Sequence, residues 1–239
     1  MKFSVIIPVY NALDDVKLCL DSIIKNYDFK DGEVIVIDDC SREDTANFLK
    51  KFGAEHPEFR VDKNEENLGF VKTCNKGMKM VQGDIVILLN SDTIIPKFFQ
   101  EKILDCFNSD EKIGVASPIA SKSWLYKIPL PKFYSIEKMN ELLRKKHTPK
   151  YPIIPSAEGF CFCIKKQVID DIGYLDEAYG KGYHEEVDFS YRSIKAGWKN
   201  VLIDDLYVYH RDSALWVCYG LTLCRVANFA FAAVNKTNN

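Results

Sequence analysis

The chain has 239 residues, 47% of them apolar and 28% charged, with a formal net charge of −2. That composition belongs to a globular protein rather than a disordered one, and it carries no net positive field to draw in a nucleic acid. The length suits one large α/β domain.

The first 120 residues alternate strand and helix patterns. Ser4-Val5-Ile6-Ile7 is a short buried strand, and Leu13, Val16, Leu20, Ile23 and Ile24 then recur at helical spacing. Glu33 to Asp38 is a second strand. Ser41, with Asp44 three residues on, resembles a capping box for a helix running to about Phe52. Phe59-Arg60-Val61 is a weak third strand. Gly69, then Val71, Cys74, Met78 and Val81, mark an amphipathic helix closed by Gly83. Ile85 to Leu89 is an apolar run buried on both faces, and it ends abruptly in Asn90-Ser91-Asp92-Thr93. A helix from Pro96 carries Phe98, Phe99, Ile103, Leu104 and Phe107, and Ile113 to Ser117 is a fifth strand. Strands and helices alternating in this way imply parallel pairing through βαβ crossovers.

The pattern then breaks. Lys122 to Pro155 carries five prolines and the basic cluster Arg144-Lys145-Lys146, and reads as an insertion or flap. Phe160 to Ile164 resumes a strand, and Gly173 to Tyr183 is a glycine-containing loop. Glu185 to Ala196 is helical, with Val187, Tyr191 and Ile194 on one face and Gly197 as the stop signal. Val201 to His210 gives one or two strands. The expected organisation is one region over 1–213, with a nucleotide-sized α/β half to about residue 118 and a smaller, more irregular half after it. A C-terminal apolar tail, 214–239, follows and is expected to be helical.

Eight cysteines are scattered without a C-x-x-C pair, so buried free thiols are expected and not a zinc site or a disulfide framework. Phe3 to Val9 is too short for a signal peptide, is interrupted by Pro8, and meets Asp14-Asp15 at once. No run reaches the roughly 18–20 apolar residues of a membrane span. A cytoplasmic protein is expected, with a peripheral place at the inner face of the plasma membrane as a variant of that reading. The tail, 215 to 234, has three options: packing on the catalytic region, a homodimer contact, or a membrane-surface contact.

Ligands of an open α/β sheet bind beyond the carboxyl ends of its strands. Asp92 stands at such an end, where a hard metal ion holding a phosphate group would explain a carboxylate. Tyr10 leaves the first strand, where its ring either stacks on a nucleobase or packs under the first helix. Asp38-Asp39 ends the second strand, either capping the turn or accepting from a base or ribose. No G-x-G-x-x-G and no G-x-x-x-x-G-K-[ST] occurs, which excludes a dinucleotide fold and a P-loop. Glu185-Glu186-Val187-Asp188 sets carboxylates at a helix start, for chemistry or for the helix dipole. Asp188 and Arg192 are spaced to pair on the surface. His210, one of four histidines, closes the last strand and is either a metal ligand or a hydrogen-bonded ring.

Taken together, S-V-I-I-P-V-Y-N, E-V-I-V-I-D-D-C-S, N-L-G-F, N-K-G, L-L-N-S-D-T and H-E-E-V-D-F-S-Y-R resemble the family-2 glycosyltransferases. The order and spacing match over about residues 2 to 213. Glu158-Gly159-Phe160-Cys161 and Gly197-Trp198 look most like the bacterial rhamnosyltransferase-like polysaccharide transferases. The resemblance implies a GT-A fold: a Rossmann-like, mostly parallel sheet flanked by helices, with a smaller mixed acceptor-side half. It implies inverting transfer of a hexosyl or deoxyhexosyl group from a nucleotide-diphosphate sugar to a saccharide or lipid-linked saccharide. By the same resemblance, Pro8, Tyr10, Asn11, Asp39, Asn67, Asn75, Asn90 and Ser91 face the donor. Asp92 and His210 serve Mn²⁺ or Mg²⁺, and Glu186 is the general base, with Glu185 as its competitor. Two departures stand out: the D-x-D motif reads Asn90-Ser91-Asp92, and the usual aspartate base is a glutamate. A nucleotidyltransferase and an inactive sugar-nucleotide-binding module are the alternatives.

Overall fold

The computed structural model describes residues 1–146 and 148–211. Its strands are β1 (Phe3–Val9), β2 (Gly32–Asp38), β3 (Phe59–Lys63), β4 (Ile85–Leu89), β5 (Thr93–Ile94), β6 (Ile113–Ala120), β7 (Cys161–Lys165) and β8 (Lys199–His210). The helices are α1 (Leu13–Asn26), α2 (Glu43–Glu55), α3 (Phe70–Met78), α4 (Phe99–Ser109), α5 (Ile136–Lys146), α6 (Lys166–Ile172) and α7 (Glu185–Lys195). The strands form one sheet in the order β3-β2-β1-β4-β7-β6-β8-β5.

Period-2 alternation explains the layers. Val5, Ile7 and Val9 of β1 face one core with α1, α2 and α4, while Ile6 faces another with α3, α6 and α7. Both faces are covered, so Val5–Ile7 of β1 and the whole of β4 are apolar, while buried Ser4 bonds to Glu33. Each fully buried Ile or Val contributes roughly 1.5–3 kcal/mol.

The first four strands pair in parallel. β7 then enters antiparallel between β4 and β6, while β6 pairs in parallel with β8. The expected boundary near residue 118 falls inside β6, so both halves share one sheet. This topology positions the site. An antiparallel β7 starts where β4 ends, with Leu89 opposite Cys161, and β5 pairs Thr93 with His210 at the end of β8. Three strand ends from distant parts of the chain therefore meet.

Several local expectations are corrected. Ser41 is not a helix cap; α2 starts after Arg42, and the Ser41 hydroxyl accepts the Asn11 N–H at 2.8 Å. Pro96 does not open α4, which starts at Phe99, because Phe98 takes a left-handed φ of 64° and leaves its ring against Arg144. The 122–155 stretch is not merely a flap. Within it α5 packs on β8 through Met139, and the Asn140 amide pairs with the Tyr207 backbone as a neighbouring strand would, at 2.8 and 2.9 Å. On α7, Val187, Tyr191 and Ile194 form the exposed face, and the helix buries Glu185, Phe189, Ser190 and Ser193 instead. Ser190 accounts for the polar choice: its hydroxyl accepts the Ala157 N–H and its carbonyl accepts from Asn200.

The cysteines at 19, 40, 74, 106, 161 and 163 are free, and all but Cys40 are buried. Among the described residues no helix is long and apolar enough to cross a membrane. The tail assigned to 214–239 lies outside the described residues.

Candidate active site

The turn after β4 is built by its own backbone. The Asn90 carbonyl accepts from the Thr93 hydroxyl (2.7 Å), and the Asn90 N–H donates to the Phe160 carbonyl (2.9 Å). That turn carries Asp92 to the end of β8, where His210 Nε2 lies 3.3 Å from Asp92 Oδ1. The ring is fixed from behind: Nδ1 lies 2.9 Å from the Lys122 carbonyl, which can only accept, so Nδ1 carries the proton. Phe160 stacks on the imidazole with centroids 5.1 Å apart, and Ser121 both donates to the His210 carbonyl and accepts from its N–H.

One residue before Phe160, Gly159 faces Glu186 at the start of α7. A Cβ placed there would lie 3.9 Å from the Glu186 side chain. Three carboxylates gather in this region. Glu158 is buried and accepts the N–H groups of Leu125 (2.7 Å) and Tyr126 (3.4 Å). Glu186 is half-buried, and burial raises its pKa, opposed by backbone N–H groups and His184 and assisted by Glu158. Glu185 is only 4% exposed, and its Oε2 has no protein hydrogen-bond partner. Burial first, and the neighbouring Glu186 second, push its pKa up to about 7. Asp188 is withdrawn from the site by Arg192, which donates to it at 2.7 Å and also to the Ile172 and Tyr174 carbonyls.

On the donor side the residues divide. Pro8 stands beyond the last β1–β4 pair, Ile6–Leu88, so its missing N–H is not needed there. Tyr10 is 37% exposed at the strand exit. Asn11, at φ 61°, ties the β1 exit to the β2 exit by accepting the Arg42 N–H. Asp38 caps its own turn by accepting the Ser41 N–H. Asp39 is buried and accepts three hydrogen bonds: from Asn64 and Leu68 at 2.8 Å and from Gly69 at 2.9 Å. Its carboxylate thus organises the loop beyond β3, to which Asn67 adds a 3.3 Å bond to the Asp39 carbonyl. Asn75, expected to face the donor, is held by the protein itself. It is buried, and its amide is spent on Leu175 N–H, Leu175 C=O and Glu177, clamping α3 to the 173–184 loop.

The sequence profile described as Glycosyl transferase family 2 matches residues 4–173. The chain belongs to this family. Poly-beta-1,6-N-acetyl-D-glucosamine synthase of Staphylococcus epidermidis is 25% identical over 218 residues, 90% of this chain and 49% of the relative. The chain thus spans about half the length of that curated relative. Among solved structures, GalNAc-T7 with UDP, GalNAc and Mn²⁺ superposes with a TM-score of 0.71 at 18% identity, over 88% of this chain and 44% of that one. S. aureus TarS with UDP-GlcNAc gives 0.65 at 21% identity, over 87% and 58%. The fold is GT-A, as the motif order implied. Family-2 membership removes the nucleotidyltransferase alternative.

Within this family-2 site, the donor set fits a divalent cation in one specific way. Asp92 oxygen and His210 nitrogen face each other, and the imidazole is held by a carbonyl behind it, as in metal-bound histidines. No cluster of three or more protein ligands occurs among the described residues. Two side chains suit a cation that takes its remaining ligands from a diphosphate.

Sequence reasoning did not single out Ser121, Lys122, Glu158 or Phe160 for the site. Glu158 and Phe160 lie in the E-G-F-C stretch, so a signal existed. For Ser121 and the Lys122 carbonyl there was none, since only the β6–β8 register brings them to His210.

Proposed function

We propose that this chain transfers a sugar, with inversion, from a nucleoside-diphosphate sugar to an acceptor hydroxyl in cell-surface polysaccharide or glycoconjugate synthesis. One observation carries the reading: the pair just before β7 lies between both groups, Gly159 leaving room beside the Glu186 side chain and Phe160 stacking on the His210 ring that faces Asp92. A proton acceptor and a diphosphate-holding pair thus flank one point at the end of β4.

Glu186 is the general base. It is half-buried at the helix start, whereas Glu185 is sealed in the protein. An acceptor hydroxyl is a weak nucleophile at neutral pH, so the carboxylate takes its proton as the new bond forms. Its raised pKa makes it a better base than an ordinary carboxylate. Asp92 and His210 would hold Mn²⁺ or Mg²⁺, which when bound neutralises charge on the leaving diphosphate. Tyr10 offers its ring to the base; Asp39 and Asn67 shape the loop beside it; Asn90 and Ser91 line the turn under the sugar. The acceptor is a saccharide, free or lipid-linked.

UDP-GlcNAc is the first donor to test, since a TarS structure is a complex with it and the synthase relative is named for an N-acetylglucosamine polymer. A thermal-shift series with nucleotide sugars, with and without Mn²⁺, reads the binding. Saturation a hundredfold above Kd stabilises the fold by about 2.7 kcal/mol. The shift should need Mn²⁺ and vanish in Asp92→Asn. Absence of any shift across UDP-, GDP-, CMP- and dTDP-sugars would defeat the proposal.

A further inference from the structure

The segment between β6 and α5 presents an unusual surface. Trp124 and Phe133 are 88% and 95% exposed, the two most exposed large apolar side chains among the described residues. Leu125, Ile128 and Tyr134 are exposed beside them in sequence. This is not a loose stretch. Leu125 and Tyr126 N–H groups bond to buried Glu158, the Ile128 carbonyl accepts from Tyr207, and Ile128 N–H donates to Ala120. Tyr126 and Leu130 turn inward to pack on the cores. The backbone is pinned while the largest rings point out.

Within this stretch the exposed charges have one sign; the nearby Glu158 carboxylate is buried on the Leu125 and Tyr126 N–H groups. Residues 121–136 contain Lys122, Lys127 and Lys132 and no acid, in a chain whose net charge is −2. The acids that follow on α5 are matched by cations: Glu141 pairs with Lys138 and Lys145, and Glu137 lies near Lys25 and Lys97. Exposed Trp and Phe interleaved with lysine suit the boundary of an anionic bilayer, where rings enter the headgroup layer and ammonium groups meet lipid phosphates. A neutral sugar would explain the rings but not the lysines.

We propose that residues 122–134 dock this protein on an anionic lipid bilayer. The contact lies in the acceptor half and begins at Lys122, whose carbonyl holds His210. It does not depend on the transfer reaction.

Co-sedimentation of the full chain with phosphatidylcholine vesicles, with and without phosphatidylglycerol, tests this directly. Wild type should bind the phosphatidylglycerol vesicles. Trp124→Ser/Phe133→Ser should weaken that binding about tenfold or more, since both rings lose apolar burial. Lys127→Gln/Lys132→Gln should weaken it about thirtyfold and leave phosphatidylcholine binding unchanged. All four side chains are exposed, so urea melts of the variants should match wild type, which separates a lost surface from a lost fold. Wild type that ignores phosphatidylglycerol vesicles would overturn the proposal, as would two double variants that bind like wild type. If vesicle binding is untouched and the aromatic pair instead weakens sugar transfer to saccharide acceptors, the rings serve a sugar and the lipid reading fails.

Discussion

Replacing Glu185 by glutamine should stabilise the protein at alkaline pH and not at acidic pH. The side chain is 4% exposed with an unpartnered Oε2, and its pKa rises from 4.5 to about 7. A gap of that size corresponds to about 3 kcal/mol. The sign follows from proton binding. The folded state holds the Glu185 proton more tightly than the unfolded chain does, so the native state binds more protons between pH 4.5 and 7. This stability is fully present below pH 4.5 and is lost as pH rises through 7. Glutamine has no proton to lose. The new amide hydrogens act equally at every pH, so they cancel in the comparison. Urea melts of wild type and Glu185→Gln, each at an acidic and an alkaline pH, give the difference. It should move toward the variant by about 3 kcal/mol between the two pH values. A difference that is the same at both would refute the idea that Glu185 is held protonated by burial.

Asn75→Ala should cost about 2–4 kcal/mol in denaturant melts, because two backbone groups of buried Leu175 lose their partners. Asp39→Asn should cost about 2–3 kcal/mol and speed proteolysis within 64–69, since an amide would face an N–H that the carboxylate now accepts. Gly69→Ala should cost about 1–3 kcal/mol: the residue sits at φ +82°, and a Cβ would come within 2.9 Å of Lys181 Cα. A neutral result at Gly69 would show that the loop beyond β3 is not seated on the 173–184 loop.

Much of the fold was legible because it rests on local signals. Short apolar runs marked β1 and β4, and helical periodicity marked α1 and α3. Sheet order was not legible, because nothing in Phe160–Ile164 says that the strand runs antiparallel between β4 and β6. That one insertion sets Phe160 against His210, so the site's geometry followed from long-range pairing and not from motif spacing. α7 misled for a related reason. Val187, Tyr191 and Ile194 are exposed, and Phe189 together with Ser190, bonded to the Ser156 hydroxyl and the Ala157 N–H, holds its inner face. Asn75 and Asp39 lie at motif positions, yet their side chains are occupied by loops far away in sequence, which no pattern near them reveals.

The account centres on Glu186 as the base and Glu185 as a buried neighbour. Release of UDP from UDP-GlcNAc with Mn²⁺ should be followed for wild type, Glu186→Gln and Glu185→Gln, together with donor affinity. The account predicts a loss on the order of 10²–10⁴ in turnover for Glu186→Gln with donor affinity unchanged, and near wild-type turnover for Glu185→Gln. Wild-type turnover in Glu186→Gln, or the large loss falling on Glu185→Gln instead, would contradict it.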